Sequence, residues 1–542
     1  MKMIVNCHKQ DKTMQDEWLT DVAGLCGVQT KTTDLSPEAS WRYMPYETMD
    51  GIKGTMILSS AVGDFRDLTL PLPSIGPCRI YVGIGCFGDF TRIKLRLGGE
   101  SQWRLLRGKG INWFPECIEY LYREADLHGQ PLEIRNAQEI STLAWVRLEP
   151  MAERPANPKY HCVATMDGYW TDTLNDYYDR IASFAGGNVE RLQFCLGESD
   201  VVSHFTTTVG TNGFNMMFGS HMTKLHHDIT LQVNKMRVEE PQLVPKLIDF
   251  THRHGMEFYG AVRLGACYMP GLCNYSEFFQ KHPEFHCKTR NGTPVARLSF
   301  AEPEVRNHFL QLFDEMTDFD LDGLNPILMR SVPLIAFEPA FCNAFQEQYG
   351  ISPLVIPEDD QRIISLRSNM ITDFFREIRK LLDDKGKKRG RRFGFSLDVL
   401  ATPAVNHSFG LDLERLVAEK IIDSLEVDGA LMKRNHDEKI ANIDYAYFGK
   451  LCAGTDCRWY PKGEDNCGGE QFPKMFHDAV SNGASGLFLW DGYDHTVVWP
   501  RRWETLTNLM RGIEPSVAPE RLHLLRTLDG FDYDQFTPHN AF

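Results

Sequence analysis

Carboxylates follow several short apolar runs after residue 160 of this chain. Four of them are candidates for catalysis: Glu198, Glu338, Asp398 and Asp491. Two carboxyl groups that face each other can divide a hydrolysis between them, because one donates a proton and the other attacks or activates water. Parallel strands present reactive groups at their carboxyl ends, where these residues are predicted to lie. The pattern therefore predicts acid–base chemistry at one edge of a sheet.

Further polar and aromatic residues lie at or near the same predicted strand ends. An arginine could orient a carboxylate or hold an acidic ligand, an amide could bind a hydroxyl group, and aromatic rings suit apolar ligand faces. The candidates for substrate binding are Asp167, Tyr169, Trp170, Arg263, Asn325, Arg330, Trp459, Trp490 and Tyr493. Salt bridges and ordinary packing are the alternative roles. Glu426, Asp428 and Glu464 also follow predicted strands, and Asp322 is expected to buttress the start of its strand.

Eight strand-like runs alternate with segments of helical period between residues 156 and 515. The runs are 161–166, 190–196, 256–262, a run from 322, 393–397, 422–427, 457–460 and 485–490. Eight β–α units predict a (β/α)8 TIM barrel with a long loop at 201–238. An open doubly wound sheet is the alternative, but no G-x-G-x-x-G or P-loop follows any strand.

The part of the chain before the predicted barrel has a β pattern. Short runs at 54–60, 78–84, 91–97, 117–122, 131–134 and 141–148 are separated by Gly, Pro, Asn and Asp. Short strands at this spacing predict an antiparallel β-sandwich over residues 41–155. Residues 1–40 are predicted to be a lead-in and residues 516–542 a C-terminal tail.

Charge and cysteine usage limit the partners. The formal net charge of −15 argues against nucleic acid or an anionic membrane, since both attract a basic face. No apolar run has the length of a membrane span, and the N-terminus has charges where a signal peptide has an apolar core, so a cytoplasmic protein is predicted. The 14 cysteines lack tight zinc-ligand spacing, and no metal or cofactor is predicted. A homodimer is the ordinary expectation.

Several motifs resemble a known family. They are HPEF at 282–285, NG at 291–292, PEVR at 303–306, DGLNPILMR at 322–330, EPAFCNAFQEQYG at 338–350 and GLFLWDGYDH at 486–495. Together they resemble the family 10 glycosylhydrolase-like (GHL10) type over residues 160–515. READLHGQPLEI at 123–134 and LAWVRLEP at 143–150 resemble the β-sandwich that precedes such barrels in bacterial proteins.

The resemblance implies a (β/α)8 fold and action on glycosidic bonds. Related barrels often carry a carboxylate directly on the fourth strand end. This chain has Asn325, Met329 and Arg330 there, and its nearest carboxylate is Glu338 in the following loop.

Three functions are therefore considered. The first is a glycosidase that acts on an oligosaccharide without a cofactor. The second is a metal-dependent sugar isomerase, epimerase or deacetylase, which would need converging His, Asp and Glu ligands. The third is a barrel that binds carbohydrate without catalysis. A pair of carboxyl groups about 5–9 Å apart would favour the first.

Overall fold

A computed structural model describes most of the chain. The described residues are 15–34, 40–60, 63–86, 90–110, 115–152, 157–169, 171, 173–213, 224–265, 276–329, 331–428, 443–463, 472–514 and 521–533, without the side chains of 90 and 224–230. The chain divides into two compact units: the first has residues 1–157, 498–504 and 516–542, and the second has 158–497 and 505–515. Within the described ranges, no helix has both the length and the apolar character of a membrane span.

The elements before residue 151 are mainly strands. They are β1 (Glu17–Leu19), α1 (Val22–Leu25), β2 (Arg42–Thr48), β3 (Lys53–Ser59), β4 (Leu68–Leu70), β5 (Ser74–Cys86), β6 (Phe90–Leu97), β7 (Arg104–Lys109), β8 (Glu116–His128), β9 (Leu132–Asn136), β10 (Ser141–Leu143) and β11 (Trp145–Pro150).

Helices and strands alternate in the rest of the chain. Up to residue 326 the elements are β12 (His161–Met166), α2 (Leu174–Ser183), β13 (Val189–Glu198), β14 (Val201–Val202), β15 (Thr211–Asn212), α3 (Lys224–Glu239), α4 (Leu243–Arg253), β16 (Glu257–Arg263), α5 (Glu277–Lys281), β17 (His286–Lys288), β18 (Pro294–Leu298), α6 (Pro303–Met316) and β19 (Gly323–Pro326). From there they are α7 (Pro339–Tyr349), α8 (Gln361–Arg389), β20 (Gly394–Leu400), α9 (Pro403–Ser408), α10 (Leu413–Ala418), β21 (Ser424–Asp428), α11 (Tyr445–Cys452), β22 (Arg458–Pro461), α12 (Phe472–Ser481), β23 (Gly486–Leu489), α13 (Pro500–Met510), β24 (Leu522–Leu528) and β25 (Phe531–Asp532).

Two antiparallel sheets make up the first unit. One has the strand order β1-β11-β5-β8-β24-β2-β3-β10, with β25 on β24, and the other has the order β4-β9-β6-β7. Ile93, Leu95 and Leu97 are buried at every second position of β6, and they join residues of β5 such as Val82 in one hydrophobic core. Alternation of this kind buries one face of a strand, which explains why the sequence predicted strands here.

The segment predicted as a C-terminal tail contains a strand of this unit. β24 pairs with β8 on one side and with β2 on the other. Most of its side chains are partly exposed, so its sequence lacks the apolar alternation that reveals a strand. Its position therefore depends on hydrogen bonds to distant strands.

Eight parallel strands form most of the ten-stranded sheet of the second unit, and β14 and β15 extend it beside β13. The order of the eight is β23-β12-β13-β16-β19-β20-β21-β22, so each strand lies beside its neighbour in the chain. The outer strands also approach each other, because Lys462 and Phe488 form a parallel bridge and the amide of Gly463 donates to the carbonyl of Phe488 at 3.0 Å. All eight carboxyl ends consequently lie at one edge of a mixed α/β unit.

The segment 201–238, which was predicted to be a long loop, is partly regular. It contains β14, β15 and most of α3, and Val233 and Met236 of this helix are buried. The loop prediction is therefore corrected. Polar residues dominate the helix, and the few apolar side chains that it buries gave too weak a periodic signal.

Candidate functional site

Four neighbouring strands bring their last residues together. β23, β12, β13 and β16 are adjacent in the parallel sheet. Asp491 and Asp167 follow β23 and β12, while Glu198 and Arg263 are the last residues of β13 and β16. Glu198 and Arg263 are register partners, which fixes their side chains next to each other. Three predicted carboxylates and one predicted arginine therefore form one cluster, which we call the strand-end cluster.

Arg263 holds two of these carboxylates. Its Nη2 donates to Oδ2 of Asp167 at 2.5 Å, and its Nη1 donates to Oε1 of Glu198. The hydroxyl of Tyr169 donates to the same oxygen of Glu198 at 3.1 Å. Glu198 is 5% exposed and Arg263 is 3% exposed, whereas Asp167 is partly exposed. Of the two carboxylates, Asp167 is the one that a ligand can reach more readily.

Asp491 is a carboxyl group of this cluster whose pKa is raised. Burial raises its pKa to about 8, and the nearby charges of Asp167 and Asp494 act in the same direction, while Arg180 and Arg263 oppose them. Its φ of 46° is left-handed, a conformation that Asp tolerates better than most residues, and its amide donates to Oγ1 of Thr165 at 2.7 Å. The raised pKa favours the protonated form of Asp491 near neutral pH.

A second ion pair lies next to Asp491. Nη1 of Arg180, in α2, donates to Oδ2 of Asp494 at 3.0 Å, and the guanidinium lies 4.7 Å from the ring centre of Tyr493. The guanidinium of Arg263 lies 5.4 Å from the ring centre of Trp490. Trp490 and Tyr493 are 3% and 5% exposed, so both rings pack against arginines. Tyr169 remains the partly exposed aromatic residue of the cluster.

A buried histidine lies behind Tyr169. Nδ1 of His204 is 2.7 Å from the hydroxyl of Ser203, and its ring is stacked with that of Tyr169 at 6.5 Å. Burial lowers the pKa of His204 to about 4, so the imidazole is neutral at physiological pH. His204 was not among the predicted site residues, because a histidine inside an apolar run is usually a core residue.

The side chain of Asn325, in β19, forms hydrogen bonds with residues of the neighbouring strands β20 and β21. Its Nδ2 donates to the hydroxyl of Ser396 at 2.8 Å and to Oε2 of Glu426 at 3.3 Å. Arg191 donates to the hydroxyl of Ser424 at 2.7 Å and lies 3.5 Å from Oε1 of Glu426. Burial raises the pKa of Glu426. These residues form a closed polar network, which we call the interior network.

Glu338 and Asp398 are both fully buried. Glu338 precedes α7, accepts hydrogen bonds from the hydroxyl of Ser299 and from the amide of Ala336 at 3.1 Å, and has a pKa that burial raises. Asp398 lies in β20 in register with Glu426, and the amide of Leu328 donates to its carbonyl at 3.0 Å. Neither side chain shares a described hydrogen bond with the strand-end cluster.

Two further predicted residues have structural neighbours. Asp322 accepts hydrogen bonds from Nε2 of His252 at 2.7 Å and from the amide of Phe258 at 2.8 Å, at the start of its strand. Trp459 was predicted to bind substrate, but it is 1% exposed and its ring packs against Phe448 of α11 at 5.8 Å. The side chain lies between β22 and α11, so the prediction is revised.

Three predicted residues, Trp170, Arg330 and Glu464, lie outside the described residues. Asp428, at the end of β21, pairs with Nζ of Lys462 at 3.2 Å. Among the described residues, no group of three or more His, Cys, Asp or Glu side chains is arranged to hold a metal ion.

Arg180 and Asp494 were not among the predicted site residues. Asp494 belongs to the WDGYD segment, so its closeness to Asp491 could have been noticed. Arg180 lies in the predicted helix that follows the first strand, and only the packing of that helix directs it toward Asp494. Both residues affect the pKa of Asp491.

Comparisons with known proteins give distant matches. No family model matches the chain, and no curated protein matches it. Among solved structures, the catalytic domain of a β-amylase from Paenibacillus polymyxa is 10% identical, with a TM-score of 0.40, and the match covers 62% of this chain and 94% of that one. An α-galactosidase from Geobacillus stearothermophilus is 11% identical, with a TM-score of 0.36 and coverage of 92% and 72%.

A chitobiase from Flavobacterium johnsoniae is also 11% identical, with a TM-score of 0.36. The match covers 71% of this chain and 52% of the chitobiase, so the chain spans about half the length of that protein. These structural neighbours are glycoside hydrolases. Matches with so little sequence identity do not establish the function of this chain.

Proposed function

We propose that this chain is a glycoside hydrolase that cleaves a glycosidic bond of an oligosaccharide at the strand-end cluster. The observation that carries the proposal is the contrast between two neighbouring carboxyl groups. Burial and nearby anions raise the pKa of Asp491 to about 8, while Asp167 accepts a hydrogen bond from Arg263 at 2.5 Å. Two carboxyl groups whose surroundings differ in this way are suited to separate acid and base roles.

In the proposed reaction Asp491 is the general acid. Its proton passes to the leaving oxygen as the bond between that oxygen and the anomeric carbon breaks. The carboxylate of Asp167 stabilises the positive charge that develops on the sugar, either by attacking the anomeric carbon or by activating water. Water supplies the new hydroxyl group, and its other proton returns to a carboxylate, so the reaction needs no cofactor.

Arg263 and Glu198 support this pair. Glu198 was predicted to be catalytic, but it is 5% exposed and accepts hydrogen bonds from both Arg263 and Tyr169. We assign to it the positioning of Arg263, which in turn orients Asp167. Tyr169 is partly exposed and offers a ring face to the apolar side of a sugar.

The remaining predicted residues have other roles in this proposal. Glu338 stabilises the loop before α7, and Asn325 belongs to the interior network. Asp398 remains a second candidate for the base. We also propose that the eight parallel strands close as a (β/α)8 barrel, since Lys462 bridges to Phe488, and that the antiparallel sheets of the first unit form a β-sandwich.

Activity on a panel of oligosaccharides and aryl glycosides tests the proposal. The Asp491→Asn variant should lose activity on oligosaccharides but retain activity on aryl glycosides whose leaving groups need no protonation. The Asp167→Asn variant should lose activity on both, because its role does not depend on the leaving group. Asp249→Asn is the matched control, since that side chain is 68% exposed and pairs with Arg253 on the same helix.

Other outcomes favour the other functions. Loss of wild-type turnover in EDTA would contradict the proposal in favour of a metal-dependent sugar isomerase or deacetylase. Sugar binding without turnover across the panel would favour a carbohydrate-binding barrel. Equal losses in Asp491→Asn on every substrate would remove Asp491 from the role of acid.

A further inference from the structure

Two cysteines lie together at the turn between α11 and β22. Cys452 is the last residue of α11, and Cys457 immediately precedes β22. Each thiol shifts the pKa of the other, so the two side chains are close neighbours. Cys452 is 8% exposed and Cys457 is 6% exposed, while residues 453–456 between them are exposed. The thiol pair therefore lies directly beneath a surface turn.

The backbone of the turn holds the two thiols in place. The hydroxyl of Thr455 donates to the carbonyl of Cys452 at 2.8 Å and accepts from the amide of Cys457 at 3.1 Å. Gly454 has a φ of 72°, which lets the chain reverse within four residues. These contacts join both cysteines through one side chain, so their proximity does not depend on distant packing.

The two thiols are chemically unequal. The neighbouring thiol of Cys457 lowers the pKa of Cys452, and the neighbouring thiol of Cys452 raises the pKa of Cys457. A thiol with a lowered pKa forms the thiolate, which is the nucleophile in thiol–disulfide exchange. Cys452 is thus suited to react first, and Cys457 to react second.

We propose that Cys452 and Cys457 are a redox-active dithiol that is converted to an intramolecular disulfide by a low-molecular-weight disulfide. The thiolate of Cys452 attacks one sulfur of the external disulfide, whose S–S bond breaks and releases one thiol. Cys457 then loses its proton and attacks the sulfur of Cys452, which releases the second thiol. The protein loses two hydrogens, and the external disulfide is reduced to two thiols.

A second cysteine pair provides an internal comparison. Cys86 and Cys117 lie on the paired strands β5 and β8, where Cys117 is in register with Gly85, and both are 0% exposed. Burial raises the pKa of each thiol. Because Cys86 is one residue out of register with Cys117, the two thiols face opposite sides of the sheet. Both cysteines should therefore remain reduced under conditions that oxidise Cys452 and Cys457.

Oxidised glutathione and mass spectrometry test the proposal on the full-length protein. The folded chain is incubated with increasing ratios of oxidised to reduced glutathione, alkylated and digested with trypsin. Residues 451–458 (LCAGTDCR) then form one peptide that contains both cysteines and no others. We expect this peptide to lose the mass of two hydrogens and to resist alkylation, while the peptides that carry Cys86 and Cys117 stay alkylated.

Serine variants separate the two steps. Cys457→Ser should stop at the mixed disulfide between Cys452 and glutathione, and Cys452→Ser should react more slowly than wild type. A peptide 451–458 that remains a dithiol in folded wild-type protein, or that acquires two glutathione groups, would overturn the proposal. The disulfide is measured in the wild-type protein, so the test remains valid even if a variant is unstable.

Discussion

Asp491 and Glu426 are both carboxyl groups of the parallel sheet whose pKa is raised by burial, but their surroundings differ. Glu426 is 0% exposed and receives hydrogen bonds from Asn325 and Ser424, with Arg191 nearby. Asp491 is partly exposed and has carboxylates as its electrostatic neighbours. A raised pKa by itself therefore does not identify a catalytic group.

The two carboxyl groups differ in whether protein donors already bind their oxygen atoms. Donors inside the sheet occupy both oxygens of Glu426, which makes the group part of the scaffold. At Asp491 the backbone is fixed by Thr165, and the carboxyl group lies at the edge where a ligand can approach. We infer structural stabilisation at the first residue and proton transfer at the second.

The largest expected effect is on turnover by Asp491→Asn. Loss of a general acid should reduce kcat on an oligosaccharide by about 10²–10⁴-fold. Glu426→Gln, assayed in parallel, should retain most of the turnover of the fraction that folds. Similar losses of kcat in the two variants would show that the two carboxyl groups do not differ in function.

Arg191→Met should have the largest effect on stability. Arg191 is 2% exposed and lies 3.5 Å from Glu426, so its removal leaves a buried acid without a cationic partner. We expect the free energy of unfolding to fall by about 3–5 kcal/mol. Denaturant unfolding measures this, with Arg253→Met as the exposed control, for which about 0–1 kcal/mol is expected. Equal effects would argue against a structural role for the interior network.

The pH profile of kcat/KM should follow the protonation of Asp491. Activity needs the protonated form, so kcat/KM should fall as pH rises through about 8. Asp494→Asn removes an anion that raises this pKa and releases Arg180, so the alkaline limb should move to lower pH. An unchanged limb in this variant would assign the titration to another group.

The raised pKa of Asp491 also makes the free energy of unfolding decrease as pH rises. The pKa of Asp491 is raised in the folded protein, so the folded state binds a proton that the unfolded state lacks at intermediate pH. The contribution of this residue to stability is therefore present below about pH 4 and is lost as pH rises through about 8. Denaturant unfolding at several pH values should show a shallower decline in Asp491→Asn than in wild type.

The smallest expected effect is that of Ser424→Ala. The hydroxyl of Ser424 accepts a hydrogen bond from Arg191 at 2.7 Å and donates to Glu426 at 3.0 Å. Its loss should destabilise the chain by about 1–3 kcal/mol and leave kcat unchanged, because it touches only the interior network. A change in kcat without a change in the unfolding midpoint would connect the interior network to catalysis.

Much of the secondary structure could be predicted from the sequence. Each of the eight strands predicted after residue 160 overlaps an observed strand, because buried parallel strands are short apolar runs bounded by turn residues. β24 was missed because its leucines do not alternate with polar residues, and α3 was missed because its apolar residues give a weak helical period. Part of the candidate site could also be predicted. In a sheet whose strands follow chain order, neighbouring strand ends were expected to carry Asp167, Glu198, Arg263 and Asp491.

The direction of each side chain could not be predicted in the same way. Asn325 and Trp459 follow the same sequence rules as the clustered residues, yet Asn325 points into the sheet and Trp459 packs against α11. A shift of one residue along a strand reverses the face that a side chain occupies, and the sequence does not fix strand ends that closely.

The alternation of strands and helices, and the carboxylates at the strand ends, could be predicted from the sequence because hydrophobic periodicity is a local property. Only the tertiary structure shows which carboxylates are neighbours, that Arg263 bridges Asp167 and Glu198, and that the charges of Asp167 and Asp494 act on Asp491. Electrostatic coupling depends on separation and burial in space. Those quantities are set by the packing of strands that are distant in the chain.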